Sequence, residues 1–410
     1  MQQEIIPHLF RQEYSKIVSV LCRRFGFEQM EIAEDIAGDT FLAAAQSWAM
    51  NGAPPNPVAW LYHVAKNKAR NHLQHNSVFN NKVAIELKNE LTQNADTEID
   101  LSPQNISDSQ LQMMFAICHP AIPPEAQVGL ALRILCGFGI DEIAEAFLTN
   151  KATINKRLYR AKEKLREENI RIEFPSLAEI NNRLDNVLTT IYLLFSEGYY
   201  SVSQDKTLRT GLCFEAMRLC QMLTENPATD QPQVNALLSL MYFHASRFEA
   251  RFDKNGELVL YDDQDTRLWN WELVSRGGYY LERSHKGDTL SKYHLEAAIA
   301  FWNTQKDDTK EKWESILQLY NRLLQIEYSP VAALNRTYAL AKANSREEAI
   351  AEAEKLKLEN DHFYFVLLGE LYTGLDDKVA IEHFEKALSL AKTQTDKQAI
   401  QKKLDKLGRK

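Results

Sequence analysis

The residues from Gly137 to Arg166, GFGIDEIAEAFLTNKATINKRLYRAKEKLR, constrain the fold more tightly than any other stretch of the chain. They read as two short helices joined by a tight turn. Asp141 is placed to N-cap the first, since a short polar side chain accepts from the unpartnered amides of a first turn. Ile143, Ala144 and Phe147 give that helix an apolar stripe at helical spacing. Leu148–Asn150 make the turn. The second helix sets Ile154, Leu158 and Leu165 on its buried face. Its other faces carry Lys151, Asn155, Lys156, Arg157, Tyr159, Arg160 and Lys162, with no acid before Glu163. Such a helix-turn-helix lays its second helix in the DNA major groove. An ordinary hairpin with a solvated charged face is the competing reading, and the acid-free basic and amide run favours DNA.

The whole chain nevertheless has a formal net charge of −8. Both parts on either side of Phe174 are net acidic, so the basic charge is confined to two helices. Cations on phosphates supply most non-specific DNA affinity. The charge argues against a strong free-standing DNA binder, and the expectation is that a partner brings this chain to DNA. A length of 410 residues allows two or three domains. Gly and Pro are scarce while Ala, Leu, Glu and Lys abound, which reads as an all-α fold. The start, MQQEIIPHLFRQEY, lacks the basic segment and apolar run of a signal peptide, and no apolar run is long enough to span a membrane. Cys22, Cys118, Cys136, Cys213 and Cys220 are too scattered for a disulfide framework. Cys213 and Cys220 share one helical face and read as buried thiols, and Cys118-His119 has no partners at zinc-site spacing. The expectation is a cytoplasmic protein with no metal, no other cofactor and no membrane contact.

Upstream, residues 5–25 form an amphipathic helix. A second follows over Gln29–Trp48, with Ile32, Ile36, Phe41 and Trp48 as candidate core and Glu34, Asp35 and Asp39 on more exposed faces. NGAPPNP (Asn51–Pro57) breaks it by Gly and Pro chemistry. A third runs over Pro57–Gln74 and carries Trp60, Tyr62, Lys66, Asn67, Lys68 and Arg70 without a single acid. Basic side chains interleaved with aromatics suit a surface that tracks single-stranded backbone and stacks bases. For Trp60, simple core packing is the favoured account.

The run AEDIAGDTFLAAAQSW, a loop, then PVAWLYHVAKNKARNHL resembles region 2 of bacterial RNA polymerase sigma factors, and more narrowly the extracytoplasmic-function class. Glu34, Asp35, Thr40 and Phe41 match the acidic helix of that motif, and Trp60, Leu61, Ala65, Asn67, Ala69 and Leu73 the next. GIDEIAEAFLTNKATINKRLYRAKEKL is similar to region 4 through Glu142, Ile143, Ala144, Thr153, Arg157, Leu158, Arg160 and Ala161. The resemblance implies region 2 over residues 1–76 and region 4 over 109–174, and the polar, acidic composition of residues 77–108 between them reads as a flexible linker. It implies that core polymerase is bound through Glu34, Asp35, Asp39 and Phe41. The −10 element would meet Trp60, Lys66, Asn67 and Arg70. At the −35 element Asn155, Lys156, Tyr159 and Arg160 would face bases, and Lys151, Thr153, Arg157 and Lys162 phosphates. The function implied is to direct core RNA polymerase to promoter DNA. A helix-turn-helix regulator with a tetratricopeptide scaffold, outside the polymerase, is the alternative, and it has no use for the region-2 helices.

The wording CHPAIPPEAQVGLALR (Cys118–Arg133) resembles a subgroup with a long C-terminal extension, here residues 175–410. Helical stretches follow over Leu184–Phe195, Leu212–Leu223, Val234–Phe243, Thr266–Tyr280, Lys292–Phe301 and Trp313–Ile326. Arg251–Leu260 is the exception, with Asn255-Gly256 as a hairpin signal. Asp253, Asn255 and Glu257 do not make a calcium loop: the Gly is fourth instead of sixth, and no glutamate closes it. Phe365, Leu368, Gly369, Tyr372, Ala380, Phe384 and Ala387 follow the tetratricopeptide pattern. Leu334, Tyr338, Ala349, Ala353 and Leu356 form a weaker copy. Such stacks make concave surfaces for a protein or peptide partner, although a stack that only covers itself fits equally. Asp262, Asp263, Asp265 and Arg267 read as an internal ion-pair network. With no nucleophile motif or paired base, the extension is not expected to be an enzyme.

Overall fold

The computed structural model describes residues 2–83, 99–200, 206–251, 259, 261–287 and 289–408. Among them lie eighteen α-helices and no strand. The chain divides into two compact units, Met1–Asp230 and Gln231–Lys410.

In the first unit α1 (Gln2–Phe25), α2 (Met30–Asn51) and α3 (Pro57–Val83) pack together. Ile17, Val18, Leu21, Met30, Ala33, Leu61, Ala65 and Ala69 are buried between them. α3 runs on to Val83, past the Gln74 expected from the sequence. Of the stretch read as a flexible linker, residues 84–98 lie outside the described residues. Ile99 and Leu101 are buried, and α4 (Pro103–Ile117) begins directly after them, capped by Ser102. α4 packs on α1, with Gln110 donating to Ser15 in the buried seam.

α5 (Pro124–Leu130) passes through a π-turn over Ala131–Leu135 into Gly137, whose φ of 69° suits a residue without Cβ. α6 (Ile140–Ala146) and α7 (Lys151–Glu167) form the helix-turn-helix. Gly129 of α5 lets Leu158 of α7 come close, since a Cβ there would stand 3.1 Å from Leu158 Cδ2.

α8 (Leu177–Tyr199) and α9 (Lys206–Glu225) complete the first unit, although they follow Phe174. Leu184, Val187, Leu188 and Ile191 bury one face of α8. Arg183 donates to the Phe115 carbonyl at 2.7 Å, and Thr190 to Gln127 Oε1 at 2.7 Å. Arg218 of α9 donates to the Leu135 carbonyl at 2.7 Å. The two arginines satisfy carbonyls left open at the end of α4 and of the π-turn, and Thr190 satisfies the buried Gln127 side chain.

The second unit comprises α10 (Pro232–Ala245), α11 (Trp271–Ser284), α12 (Lys292–Trp302), α13 (Lys310–Ile326), α14 (Pro330–Ala343), α15 (Arg346–Leu356), α16 (His362–Tyr372), α17 (Asp377–Leu390) and α18 (Gln394–Gly408). Neighbouring helices pair through short turns, each with its own cap: Ser329, Ser345, Asp361 and Asp376 accept from first-turn amides. Small residues admit large ones across each pair. A Cβ on Gly369 would sit 2.7 Å from the Phe384 ring, and one on Gly277 2.7 Å from Phe243. The helix expected from Thr266 opens instead as a 3-10 turn over Thr266–Leu268, and α11 starts at Trp271 under Asn270. Asp265 and Arg267 pair with each other at an exposed surface, not in an internal network. The Asn255-Gly256 hairpin and the rejected calcium loop fall within residues 252–258, outside the described residues.

Candidate nucleic-acid and partner surfaces

The helix-turn-helix is set by local chemistry. The Glu142 carboxylate accepts the Gly139 amide at 2.8 Å, so Gly139 and Glu142 start α6. Asp141 is not the cap that its type suggests; it lies within the first turn and pairs with Lys151 at 2.6 Å. Leu148 turns the chain at a φ of 48°, and the Asn150 side chain accepts the Thr153 amide at 2.9 Å. Ile154, Leu158, Ala161 and Leu165 then seat α7 on the unit's core.

That seating exposes Asn155, Lys156, Tyr159 and Arg160 together with Lys151 and Thr153. The four expected base-facing side chains thus share an open face. Lys151 stays available, because both partners in its pair with Asp141 are mostly exposed and such pairs contribute little. Two side chains expected at phosphates are placed otherwise. Arg157 is half-buried, its guanidinium 5.2 Å from the Phe147 ring centroid. Lys162 is buried and bonded to Glu34, because residue 162 falls on the inward side of α7. Glu197 of α8 lies in the field of Arg157, and desolvation raises its pKa above the usual carboxylate range.

On α2 the acidic residues separate. Asp35 and Asp39 are exposed, with Lys68 3.2 Å from Asp39. Glu34 does not point outward as expected: its side chain is 12% exposed and faces Arg133 Nε at 3.1 Å as well as Lys162. Phe41 is core, as its spacing suggests, and not at the surface where the resemblance would use it; it is buried edge-on to Phe10 at 5.0 Å between ring centroids. The sequence reading missed Leu42, which is 56% exposed beside Asp35 and Asp39. Its signal was present in the spacing, since 35, 39 and 42 share one helical face.

On α3 the residues expected to meet melted DNA form a partial stripe. Trp60 is half-buried, edge-on to Trp48 at 5.4 Å, so packing explains most of it. Asn67 and Arg70 are exposed, Lys66 half-buried. His63, also exposed, joins them by a 2.9 Å contact with Asn67 and was missed from the sequence. It lies on the same face at helical spacing. The neighbouring loop is shaped by Gly52, with a φ of 78°, and by Asn56, which accepts the Ala59 amide at 3.0 Å.

A third set of contacts joins the N-terminal helices to the helix-turn-helix part. Arg166 pairs with Glu31 and donates to the Phe27 carbonyl at 2.9 Å. Arg11 pairs with Glu142 while stacking 4.0 Å from the Phe138 ring centroid. Arg133, aimed by the π-turn, reaches Glu34, the Phe138 carbonyl and the Tyr14 hydroxyl. All five cysteines are buried and outside any disulfide, and burial raises the pKa of Cys22, Cys118, Cys136 and Cys220. No cluster of metal-ligating side chains occurs among the described residues. No helix among them is long and apolar enough to cross a membrane.

Residues 9–78 match the family model of sigma-70 region 2, and residues 117–165 that of sigma-70, region 4. Residues 183–285 match a family of unknown function, DUF6596. An uncharacterized protein of Rhizobium meliloti (strain 1021) is 32% identical over 391 residues, covering 93% of this chain and 91% of the relative. No solved structure matches the chain.

Proposed function

From the premise that the chain belongs to the sigma-70 family, as a factor of the extracytoplasmic-function type with an added helical C-terminal part, we propose how its surfaces divide the work of initiation. Factors of this family direct core RNA polymerase to promoters and are not catalysts themselves. A regulator acting outside the polymerase is not favoured, because it has no use for the region-2 module.

Core polymerase docks on the outward face of α2, at Asp35, Asp39 and Leu42. Leu42 would supply the apolar centre and the two acids the polar rim that protein interfaces combine. Melted downstream DNA runs along His63, Asn67, Lys66 and Arg70 of α3, with an unpaired base held near the Gly52–Pro57 loop. Asn155, Lys156, Tyr159 and Arg160 read the upstream element from the major groove, backed by Lys151 and Thr153 at phosphates. The observation that carries this reading is the open face of α7, four polar side chains wide, in the same chain as a region-2 module.

The acidic net charge fits a division of labour in which polymerase supplies non-specific DNA affinity and this chain supplies selection. α8 and α9 brace region 4 through Arg183, Thr190 and Arg218. The paired helices α13–α18 act as a tetratricopeptide-like stack that takes a protein or peptide partner. The test is transcription by core polymerase with and without the purified protein. The expected result is new start sites preceded by a common upstream element. A protein that binds DNA fragments but leaves core polymerase's start sites unchanged would restore the regulator reading.

A further inference from the structure

We infer that the second unit binds a small phosphate monoester with a flat organic ring, at an aromatic-walled cationic site centred on Arg247. The site lies wholly within that unit, where the end of α10 meets residues 261–271 and the join between α12 and α13. It goes beyond the initiation reading and does not depend on it.

Arg247 is only 9% exposed, yet no carboxylate among the described residues pairs with it. A guanidinium cannot shed its proton to escape burial. A buried one therefore calls for an anion or a full set of acceptors. What Arg247 has is two rings: its Cζ stands 5.6 Å from the Tyr261 centroid and 6.0 Å from that of Trp269. Those two rings are themselves 6.3 Å apart, so the three side chains make a small triangle. Ring faces offset part of the desolvation and accept no ordinary hydrogen bond. The buried Nε of Arg247 is left without an acceptor, and so is the buried indole Nε1 of Trp269. Two donors, one of them charged, are thus unused within one triangle. A single water would satisfy the hydrogen bonds and leave the charge unanswered.

More positive charge stands around the same tyrosine. The Nζ atoms of Lys306 and Lys312 lie 4.7 and 5.4 Å from the Tyr261 centroid. Lys306 donates to the Tyr261 carbonyl at 2.6 Å, and Lys312, 2% exposed, to the Tyr261 hydroxyl at 3.2 Å. Desolvation and the fields of Arg247 and Arg251 hold the His244 pKa well below the usual histidine range. Asp265 is engaged by Arg267, and Asp308 by Trp313 and Lys342. Three cations around one ring suit a dianion better than a single carboxylate, and a phosphate monoester is close to dianionic at neutral pH. Trp271 continues the row of rings, 6.0 Å from Trp269 and 55% exposed. Its open face suits a ring carried by the phosphate.

The test is calorimetric titration of the full chain with phenyl phosphate at fixed ionic strength. One molecule should bind per chain, more tightly than inorganic phosphate and about tenfold more tightly than benzoate, which has the ring without the second charge. Arg247→Met should weaken binding about tenfold or more, and Lys306→Met several-fold. Lys310→Met, which removes an exposed lysine paired with Glu314, should change nothing. Trp271→Ala should erase the advantage of phenyl phosphate over inorganic phosphate and leave the affinity for inorganic phosphate as it was. Should Arg247→Met lose helicity by circular dichroism, Lys306→Met decides in its place. No saturation by about 10 mM phenyl phosphate, equal affinity for benzoate, or binding untouched by Arg247→Met and Lys306→Met overturns the proposal. A ring advantage that survives Trp271→Ala overturns it as well.

Discussion

Along α7, Asn155, Lys156, Tyr159 and Arg160 stand in solvent, while one turn further on Lys162 and Arg166 are drawn against the acids of α2. The residue types are the same on both parts of the helix. What differs is the angle each position makes with the core and what the fold brings opposite it. Lys156 meets water, so it is free to meet DNA. Lys162 meets Glu34, a carboxylate 128 residues earlier in the chain. A run of cations on a helix is thus not a single surface, and the two parts answer to different partners.

Shortening the chain gives the largest expected effect on this contrast. A fragment ending at Phe174 loses α8 and α9, and with them the cover over α4, α5 and α6. It should lose more than about 4 kcal/mol and fail to show a cooperative melt. A fragment ending at Asp230 keeps the whole first unit and should melt cooperatively. Equal thermal transitions for the two would mean that α8 and α9 are dispensable to the recognition helix.

Base reading comes next. Lys156→Ala or Arg160→Ala should cost about 1–3 kcal/mol of preference at one upstream base pair. Neither should change the melting temperature, because both side chains are exposed. A Lys156→Ala protein whose upstream preference is flat at the same positions as wild type would remove that residue from the reading face.

Arg157 sharpens the boundary between the two parts. Its stacking on Phe147 at 5.2 Å is worth about 0.5–1 kcal/mol. Arg157→Ala should therefore lower the melting temperature of the first unit by about 1–3 °C, where Arg160→Ala should not. The smallest effect belongs to Glu197, whose pKa is raised mainly by desolvation. The folded chain holds that proton more tightly than the unfolded one. Its contribution to stability is full at low pH and fades as pH climbs through the raised value. Glu197→Gln should flatten the pH dependence of the melt and gain stability above neutral pH; a steeper dependence would contradict the assignment.

The two helices of the helix-turn-helix were legible because their signals are local. The periodicity of Ile154, Leu158 and Leu165 fixes which face is buried, and the faces of Asn155, Lys156, Tyr159 and Arg160 follow from it. The sequence misjudged the start of α6, where a short acid at 141 was a plausible cap but Glu142 reaches back to the Gly139 amide. The buried position of Phe41 followed from its spacing on α2. Glu34 was assigned outward by motif, and its inward placement depends on Arg133 and Lys162, which no spacing rule connects to it. The packing of α8 and α9 on region 4 was hidden for the same reason. Its bonds run from Arg183, Thr190 and Arg218 to carbonyls and an amide far back in the chain.

The most direct measurement is sequencing of transcripts made by core polymerase plus this protein from a template library randomised across the upstream element. The account predicts abundant starts that core polymerase alone does not make, an enriched upstream motif, and relaxation of that motif at one position with Lys156→Ala. Transcripts no more numerous than with core polymerase alone, or a motif indifferent to every substitution from Asn155 to Arg160, would contradict it.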